Sequence, residues 1–539
     1  MTHCIEIYDT TLRDGTQAEN FNLSVEDKIR ITVALDKLGI DYIEGGWPGS
    51  NPVSVDFFNR MQSVELRHAR LAAFGATRHF RNVPEKDPNL LALLNARTPA
   101  VTIFGKSWDV HVRDALHIEL AENLDLITDS LAFLRPRVEH LFYDAEHFFD
   151  GFKSSEEFAL QTLGAAVVGG AETIILCDTN GGTLPHEIPP IFRRVKQYLA
   201  EKLSSVHLGI HAHNDSETAV ANSLIAVAEA EVRQVQGTIN GFGERCGNAN
   251  LTSIIPALVF KLGVECEVRK HIDRLHTTSR LVNELANLPH NRYQPYVGES
   301  AFAHKGGIHV SAVQQNPLTY EHIAPDLVGN IRRVLISDQS GRANILHKAR
   351  QWNLQLAPDD PVLASLISEL KELENLGYQY EAAEASFELL MRRALGLQRN
   401  YFKFESFRVM NHKYRMDKPP LTEATIRLFI GGSEVHTAAM GDGPVNALDT
   451  AIRKALTRFY PCLEEMELTD YKVRVLSGEH GTQARVRVLV ESRDRVCSWG
   501  TVGVSVNIIE ASWQALVDSI NYKLMKEESR KTAEPDEPL

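Results

Sequence analysis

From Ile5 to about Leu262, short apolar runs alternate with stretches in which apolar residues recur every three or four positions. The first pattern predicts buried strands and the second amphipathic helices. The strands are Ile5–Tyr8, Tyr42–Glu44, Leu71–Phe74, Val101–Phe104, His140–Tyr143, Thr173–Cys177, His207–Ile210 and Val235–Ile239. They lie about 30 to 40 residues apart, the interval filled by one strand, one helix and two loops. One helix is marked at both ends: Ser24 is the N-cap with Asp27 three residues on, Ile31, Ala34, Leu35 and Leu38 share a face, and Gly39 ends it. Strict alternation of this count predicts an α/β fold, a (β/α)8 TIM barrel over residues 1–268. A doubly wound sheet is the alternative, but no Gly-x-Gly-x-x-Gly follows the first strand.

From about Arg269 the pattern changes to helices and loops, read as helical linker subdomains over 269–402. Two helices, Leu363–Leu376 and Ala382–Leu395, are broken at Gly377, and the stripe Leu366, Leu370, Leu373 is core. Residues 403–525 contain a repeat. Ala424–Ile430, then Gly443–Leu448 and a helix to Phe459, parallels Ala484–Val490, then Gly503–Ile509 and a helix to Leu524. This predicts a pseudo-symmetric α+β domain whose two copies share a sheet with a pocket between them. The tail, 526–539, is charged and nearly without apolar residues, and is expected to be disordered.

Composition narrows the function classes. A chain of 539 residues exceeds one core, and 43% hydrophobic with 24% charged residues is ordinary for a soluble protein. The net charge of -13 argues against nucleic acid or an anionic membrane as the main partner. No signal peptide or membrane span is expected. The six cysteines form no CxxC pair, which fits reduced thiols in a cytoplasmic protein.

In a barrel, active groups lie after the C-terminal ends of strands. Strand one is followed by Asp9–Gln17, strand seven by His211-Ala212-His213, and strand eight by Asn240–Asn250. Closure makes strand eight the neighbour of strand one, so Asp14, the His pair and Asn248 converge on one seam. A carboxylate, two imidazoles and an amide oxygen suit Mg, Mn, Co or Zn with positions open for substrate. Arg13 beside them can hold a carboxylate or stabilise negative charge. A lone His-x-His is more often a pair of core histidines, and Arg13-Asp14 alone reads as a loop salt bridge; their convergence changes the balance. Metal-dependent hydrolase barrels carry His-x-His on the first strand instead.

Leu12-Arg13-Asp14-Gly15-Thr16-Gln17 with Lys28 eleven residues beyond the Gln, His211-Ala212-His213-Asn214-Asp215, and Gly243-Glu244-Arg245-x-Gly247-Asn248 together resemble the DRE-TIM metallolyase family. Within it the chain is similar to the Claisen-condensing branch of isopropylmalate, homocitrate and citramalate synthases. Glu44–Pro52, Asp144–Gly151 and Gln236–Gly241 most closely resemble the longer citramalate synthases, and the similarity spans nearly the whole chain. The resemblance implies a divalent-metal acyltransferase, with Mn2+ or Mg2+ ahead of Zn2+ or Co2+. It would make (R)-citramalate and CoA from pyruvate and acetyl-CoA, on a threonine-independent route to isoleucine. It also implies that Asp14, His211, His213 and Asn248 hold the metal, and that Thr179 holds the keto-acid carboxylate with Arg13 and Gln17. Arg13 would stabilise the charged oxygen, Glu146 would stand beside the acetyl group, and His309 would act as acid and base in a partner subunit's site, with Tyr320 assisting. The C-terminal repeat would be a regulatory domain that forms a homodimer and binds isoleucine as feedback inhibitor. Without the resemblance, Glu146 reads as a solvated loop acid, His309 as a loop histidine and Tyr320 as a packed ring.

Two segments depart from the family pattern. Asp215-Ser216-Glu217 replaces the common Asp-x-Gly, and Glu44-Gly45-Gly46-Trp47-Pro48 replaces Glu-x-Gly-Phe-Pro. The competing functions are a synthase for a larger 2-oxo acid, an acyl-CoA lyase and a non-catalytic amino-acid sensor. Gly243–Asn248 is unlike the Cys-bearing loop of hydroxymethylglutaryl-CoA lyases, which also lack the C-terminal repeat. The intact metal donors weigh against a sensor.

Overall fold

The computed structural model describes residues 4–202, 205–476 and 484–533. Eight parallel strands close into a barrel in chain order: β1 (Glu6–Asp9), β2 (Tyr42–Gly46), β3 (Arg70–Ala76), β4 (Ala100–Lys106), β5 (His140–Glu146), β6 (Thr173–Asp178), β7 (His207–Ala212) and β8 (Gln234–Gly237). β8 pairs with β1, Glu6 opposite Gln234 and Asp9 opposite Gly237, so the loops after β7, β8 and β1 are neighbours. β8 stops two residues short of the expected Ile239. Asn240 takes φ 63° in a tight turn, and Thr238 bridges to Asn250 instead of continuing the ladder.

The two-residue strand period divides side chains between two cores. Ile7, Ile43, Val101, Leu141, Ile174 and Ile210 face outward into the apolar layer beneath the helices. Tyr8, Tyr42, Ala72, Ala100, Phe142, Ile175 and Cys177 fill the interior. The helix Val25–Leu38 has the expected ends: Ser24 Oγ accepts from the Asp27 amide at 3.1 Å, the Asp27 carboxylate accepts from the Ser24 amide, and Gly39 closes the helix at φ 91°.

The first compact unit takes in the described residues as far as Phe302, and then His322–Arg332. It runs past the expected boundary at 268 because Leu275 and Val282 of the helix Leu275–Leu285 belong to the barrel's apolar core.

The second unit comprises Ala303–Glu321 and the described residues from Arg333 onward. β9 (Ala303–His304) and β10 (Arg333–Val334) form a short parallel pair. The helices Pro361–Asn375 and Glu384–Ala394 follow, with Gly377 between them at φ 111°, and Leu363, Leu366 and Leu370 share a core with Phe387 and Leu390. Two copies of one motif come next. The first is β11 (Lys403–His412), β12 (Leu421–Ile430), β13 (Ser433–Gly441) and the helix Pro444–Leu456. The second is β14 (Glu467–Val475), β15 (Val486–Arg493), β16 (Ser498–Ser505) and the helix Ile508–Ala533.

The copies do not share a sheet: each has its own antiparallel three-stranded one. Nor are Gly443 and Gly503 equivalent, since Gly443 caps a helix and Gly503 lies within β16. The last helix passes Leu524 and continues to Ala533, through the start of the tail expected to be disordered from 526. Its Lys526 pairs with buried Glu388 at 2.9 Å, which gives this charged turn a partner. Residues 534–539 lie outside the described residues. Among the described residues no helix is long and apolar enough to cross a membrane.

Candidate active site

The inward parity of the strands carries polar side chains upward from Tyr8 to the C-terminal mouth. Tyr8 Oη lies 2.7 Å from Thr102 Oγ1 and donates to Glu44 Oε1 at 3.1 Å. Glu44 is fully buried and pairs through its other oxygen with Arg13 Nε. Burial raises the Glu44 carboxyl, with Arg13 opposing; burial also works against charge on Arg13, and the same ion pair overcomes it. The Arg13 guanidinium also lies 3.8 Å from the centre of the Phe74 ring. It is held from two sides.

Beside it, Asp14, His211 and His213 offer ligand atoms that all lie within 4.8 Å of one another. Asp14 Oδ2 is 3.3 Å from His211 Nε2 and 3.8 Å from His213 Nε2. Burial works against charge on Asp14, but Arg13 and His211 outweigh it and hold the carboxyl well below the usual range. Burial, and then His211, pushes the His213 imidazole down to about 3. A neutral ring keeps its lone pair available.

The loop after β8 delivers Asn248. It bridges to His213, and its Nδ2 donates to the Phe242 carbonyl at 3.3 Å. Its Oδ1 is buried without a hydrogen-bond partner among the described residues, as is His213 Nδ1. A side chain at Gly243 would put a Cβ 2.1 Å from Asn248 Nδ2, so glycine is required for this approach. Buried acceptors without donors are costly unless something else satisfies them. A carboxylate, two imidazoles and an orphaned amide oxygen are groups of the kinds that could hold a divalent cation.

Asp14, His211 and His213 border a cavity of 270 Å³ that also meets Gln17, Glu146, Thr179 and three aromatic rings. Phe74 and Phe104 stack at 5.4 Å, and Trp47 meets both edge-on at 6.0 and 5.6 Å. Trp47 is fixed by its Nε1, which donates to Asn89 Oδ1 at 2.7 Å. Glu146 pairs with Lys106, and the Thr179 hydroxyl accepts from the His147 amide at 2.9 Å.

Residues 4–282 match the HMGL-like family model, 296–377 match the homocitrate synthase post-HMGL domain-like model, and 381–524 match the LeuA allosteric (dimerisation) domain. An (R)-citramalate synthase of Geobacter sulfurreducens is 57% identical over 97% of this chain and 98% of its own. One from Aquifex aeolicus is 54% identical over 98% and 99%. A 2-isopropylmalate synthase of Pseudoalteromonas atlantica is 30% identical over 97% and 96%. The chain belongs to the citramalate synthase branch of the HMGL-like family.

Compared with the family pattern, Glu217 stands where a glycine is common, and it keeps a glycine-like backbone at φ 57°. Asp215 anchors this turn through Arg245, whose Nε and Nη2 donate to it at 2.8 and 3.0 Å. Arg245 also donates to the Thr179 carbonyl at 2.7 Å, tying the β6 and β7 loops together. The following helix, Ala219–Ala230, starts without a side-chain cap; Thr218 donates instead to the Thr183 carbonyl.

Of the expected site residues, Arg13, Asp14, Gln17, Glu146, Thr179, His211 and His213 line one cavity, with Asn248 joined to its edge through His213. His309 and Tyr320 belong to the second unit, where their rings stack at 4.2 Å and both are exposed. Sequence reasoning gave no role to Glu44, Lys106, Asp144, Gln236 or the aromatic wall. Strand parity would have found several: counting in twos, interior Tyr42 leads to Glu44 and Phe142 to Asp144, while outward Val235 leaves its neighbour Gln236 facing inward.

Proposed function

We propose that this chain condenses acetyl-CoA with pyruvate and hydrolyses the thioester formed, releasing (R)-citramalate and CoA. The observation that carries this reading is the 270 Å³ cavity in which Asp14, His211, His213, Arg13 and Thr179 face Trp47, Phe74 and Phe104. A divalent cation held by Asp14, His211, His213 and Asn248, Mn2+ or Mg2+ in this reading, supplies Lewis-acid polarisation of the keto group. Thr179, whose oxygen already accepts a proton, has its own hydroxyl proton to give to the keto-acid carboxylate, and Gln17 stands beside it. Arg13, held by Glu44 and Phe74, offers fixed N–H donors to the oxygen that gains charge as the carbon–carbon bond forms. Glu146, steadied by Lys106, borders the acetyl group. The methyl proton passes to His309 of the partner subunit, with Tyr320 stacked on that imidazole, and the carbanion attacks the keto carbon. Water then cleaves the thioester, with sulfur leaving as CoA.

The aromatic wall favours a methyl group over an isopropyl group beside the keto carbon, which separates this reading from a synthase for a larger 2-oxo acid. The match of residues 381–524 to an allosteric dimerisation domain supports a homodimer with an allosteric ligand, and in this reading that ligand is isoleucine, the product of the route. The test is thiol release from acetyl-CoA with Mn2+ and each 2-oxo acid in turn, with and without isoleucine. Pyruvate-dependent release suppressed by isoleucine is expected; release with 2-oxoisovalerate alone would replace pyruvate as the substrate.

A further inference from the structure

Below the cation donors lies a chain of buried polar groups to which no role has yet been assigned. His211 Nδ1 is 3.1 Å from Gln236 Oε1. The other end of the same amide, Gln236 Nε2, donates to Asp144 Oδ1 at 3.2 Å and reaches Gln234 Oε1 at 3.4 Å. Gln234 and Gln236 are fully buried, and Asp144 is 4% exposed. Asp144 also borders the 270 Å³ cavity, whereas both ends of Gln236 are closed to solvent.

With Asp144 ionised, the donors and acceptors fit one way round. A carboxylate and an amide oxygen both accept, so the NH2 end of Gln236 faces them and its oxygen faces His211. An amide oxygen is satisfied only by a donor, which requires the His211 proton on Nδ1. With a cation in place of any proton on Nε2, the lone pair is then on that atom, 3.3 Å from Asp14 Oδ2. Such a hydrogen bond fixes both the tautomer and the plane of a ligating imidazole.

We propose that Gln236, oriented by Asp144 and Gln234, is a positioning residue that presets His211 for cation binding. The inference rests on Asp14, His211, His213 and Asn248 being the cation site. It goes beyond that reading because the strength of binding is assigned to groups that touch no cation. It also accounts for a buried carboxylate inside the barrel, where apolar side chains would pack without desolvation cost.

The test is Mn2+ binding to the full-length, metal-depleted protein without substrates, read from the electron paramagnetic resonance signal of free Mn2+. Gln236→Met keeps the side-chain length and removes both the acceptor and the donor. It is expected to weaken Mn2+ binding about tenfold to a hundredfold. Gln236→Glu sets two carboxylates against each other and should also weaken binding. Adding Asp144→Asn to Gln236→Glu restores the pattern with the amide and carboxylate exchanged, because the amide introduced at position 144 donates to the new carboxylate, which still accepts from His211. This double variant is expected to recover affinity to within about threefold of the parent.

A purely structural role would lower the melting temperature of all three variants and would not produce this recovery. His211→Ala is the control for the site itself. If it binds Mn2+ as tightly as the parent, the cation site is wrong and the inference falls with it. If His211→Ala loses binding while Gln236→Met does not, the site stands and the positioning role is refuted.

Discussion

Charge is buried at the barrel mouth and again in the second unit, but the two places are completed differently. Asp14, His211 and His213 are each less than 10% exposed, and Asn248 Oδ1 and His213 Nδ1 lack hydrogen-bond partners among the described residues. Lys523, 1% exposed, meets Asp494 at 2.8 Å, with Glu465 and Glu527 at 3.7 and 3.8 Å. Both arrangements carry a desolvation cost. Both offset part of it with ion pairs, but only the first leaves polar atoms, on His213 and its neighbour Asn248, unsatisfied. A buried cluster with unused donor atoms is therefore a candidate site, and one whose charges are matched is a structural clamp.

Breaking each cluster should separate function from stability. His211→Ala is expected to lower kcat roughly ten-thousandfold, about 5.5 kcal/mol of transition-state stabilisation, while calorimetry shows the fold retained. Lys523→Met removes the nearest cation from Asp494 and leaves it Arg530 at 3.7 Å, and should cost about 3 kcal/mol in denaturant unfolding of the second unit without changing Mn2+ affinity. Equal loss of stability in both variants would erase the distinction.

The cavity wall sharpens the comparison, because Trp47 borders the cavity while its indole is fixed by Asn89. Trp47→Ala is expected to raise kcat/KM for 2-oxoisovalerate relative to pyruvate by about tenfold or more, in parallel assays. An unchanged ratio would leave specificity unexplained by this wall.

Titration should also distinguish the two regions. Burial, and then Glu44, raises Asp144 to about 7, so between about pH 4 and 7 the folded state binds the extra proton. Its contribution is full below pH 4 and is lost as pH rises towards 7. Asp494 behaves in the opposite sense: burial works against its charge, but Lys523 and backbone amides overcome burial and hold it well below the ordinary range. Its contribution is present above about pH 4 and is lost on further acidification. In metal-free denaturant titrations, Asp144→Asn should flatten the decline between pH 4 and 7, by about 1 kcal/mol per pH unit. Asp494→Asn should flatten only the acid limb.

The smallest effect concerns the turn after β7. Glu217 occupies the left-handed region at φ 57°, so Glu217→Gly should stabilise the protein by up to about 1 kcal/mol in thermal melts.

Asp14 and the His pair are legible in the sequence because each sits in a short motif directly after a strand, and barrel closure brings those motifs together. The N- and C-caps of Val25–Leu38 are legible for the same local reason. Glu44, Asp144 and Gln236 are harder to read because their roles depend on which strand face points inward and on partners 31, 92 and 25 residues away. In the second unit the repeat is legible, but the expectation of one shared sheet fails. Alternation along a strand reveals its faces but not its neighbours. His309 and Tyr320 carry no local signal of their own, and their assignment depends on the family resemblance.

The most direct measurement of the central claim is reconstitution of the chelated protein. Mn2+ is titrated in while thiol release from acetyl-CoA is followed with pyruvate and, separately, with 2-oxoisovalerate. Release that saturates at one Mn2+ per chain, strongly favours pyruvate and disappears in His211→Ala is the predicted result. Pyruvate-dependent release that survives both chelation and His211→Ala would contradict it.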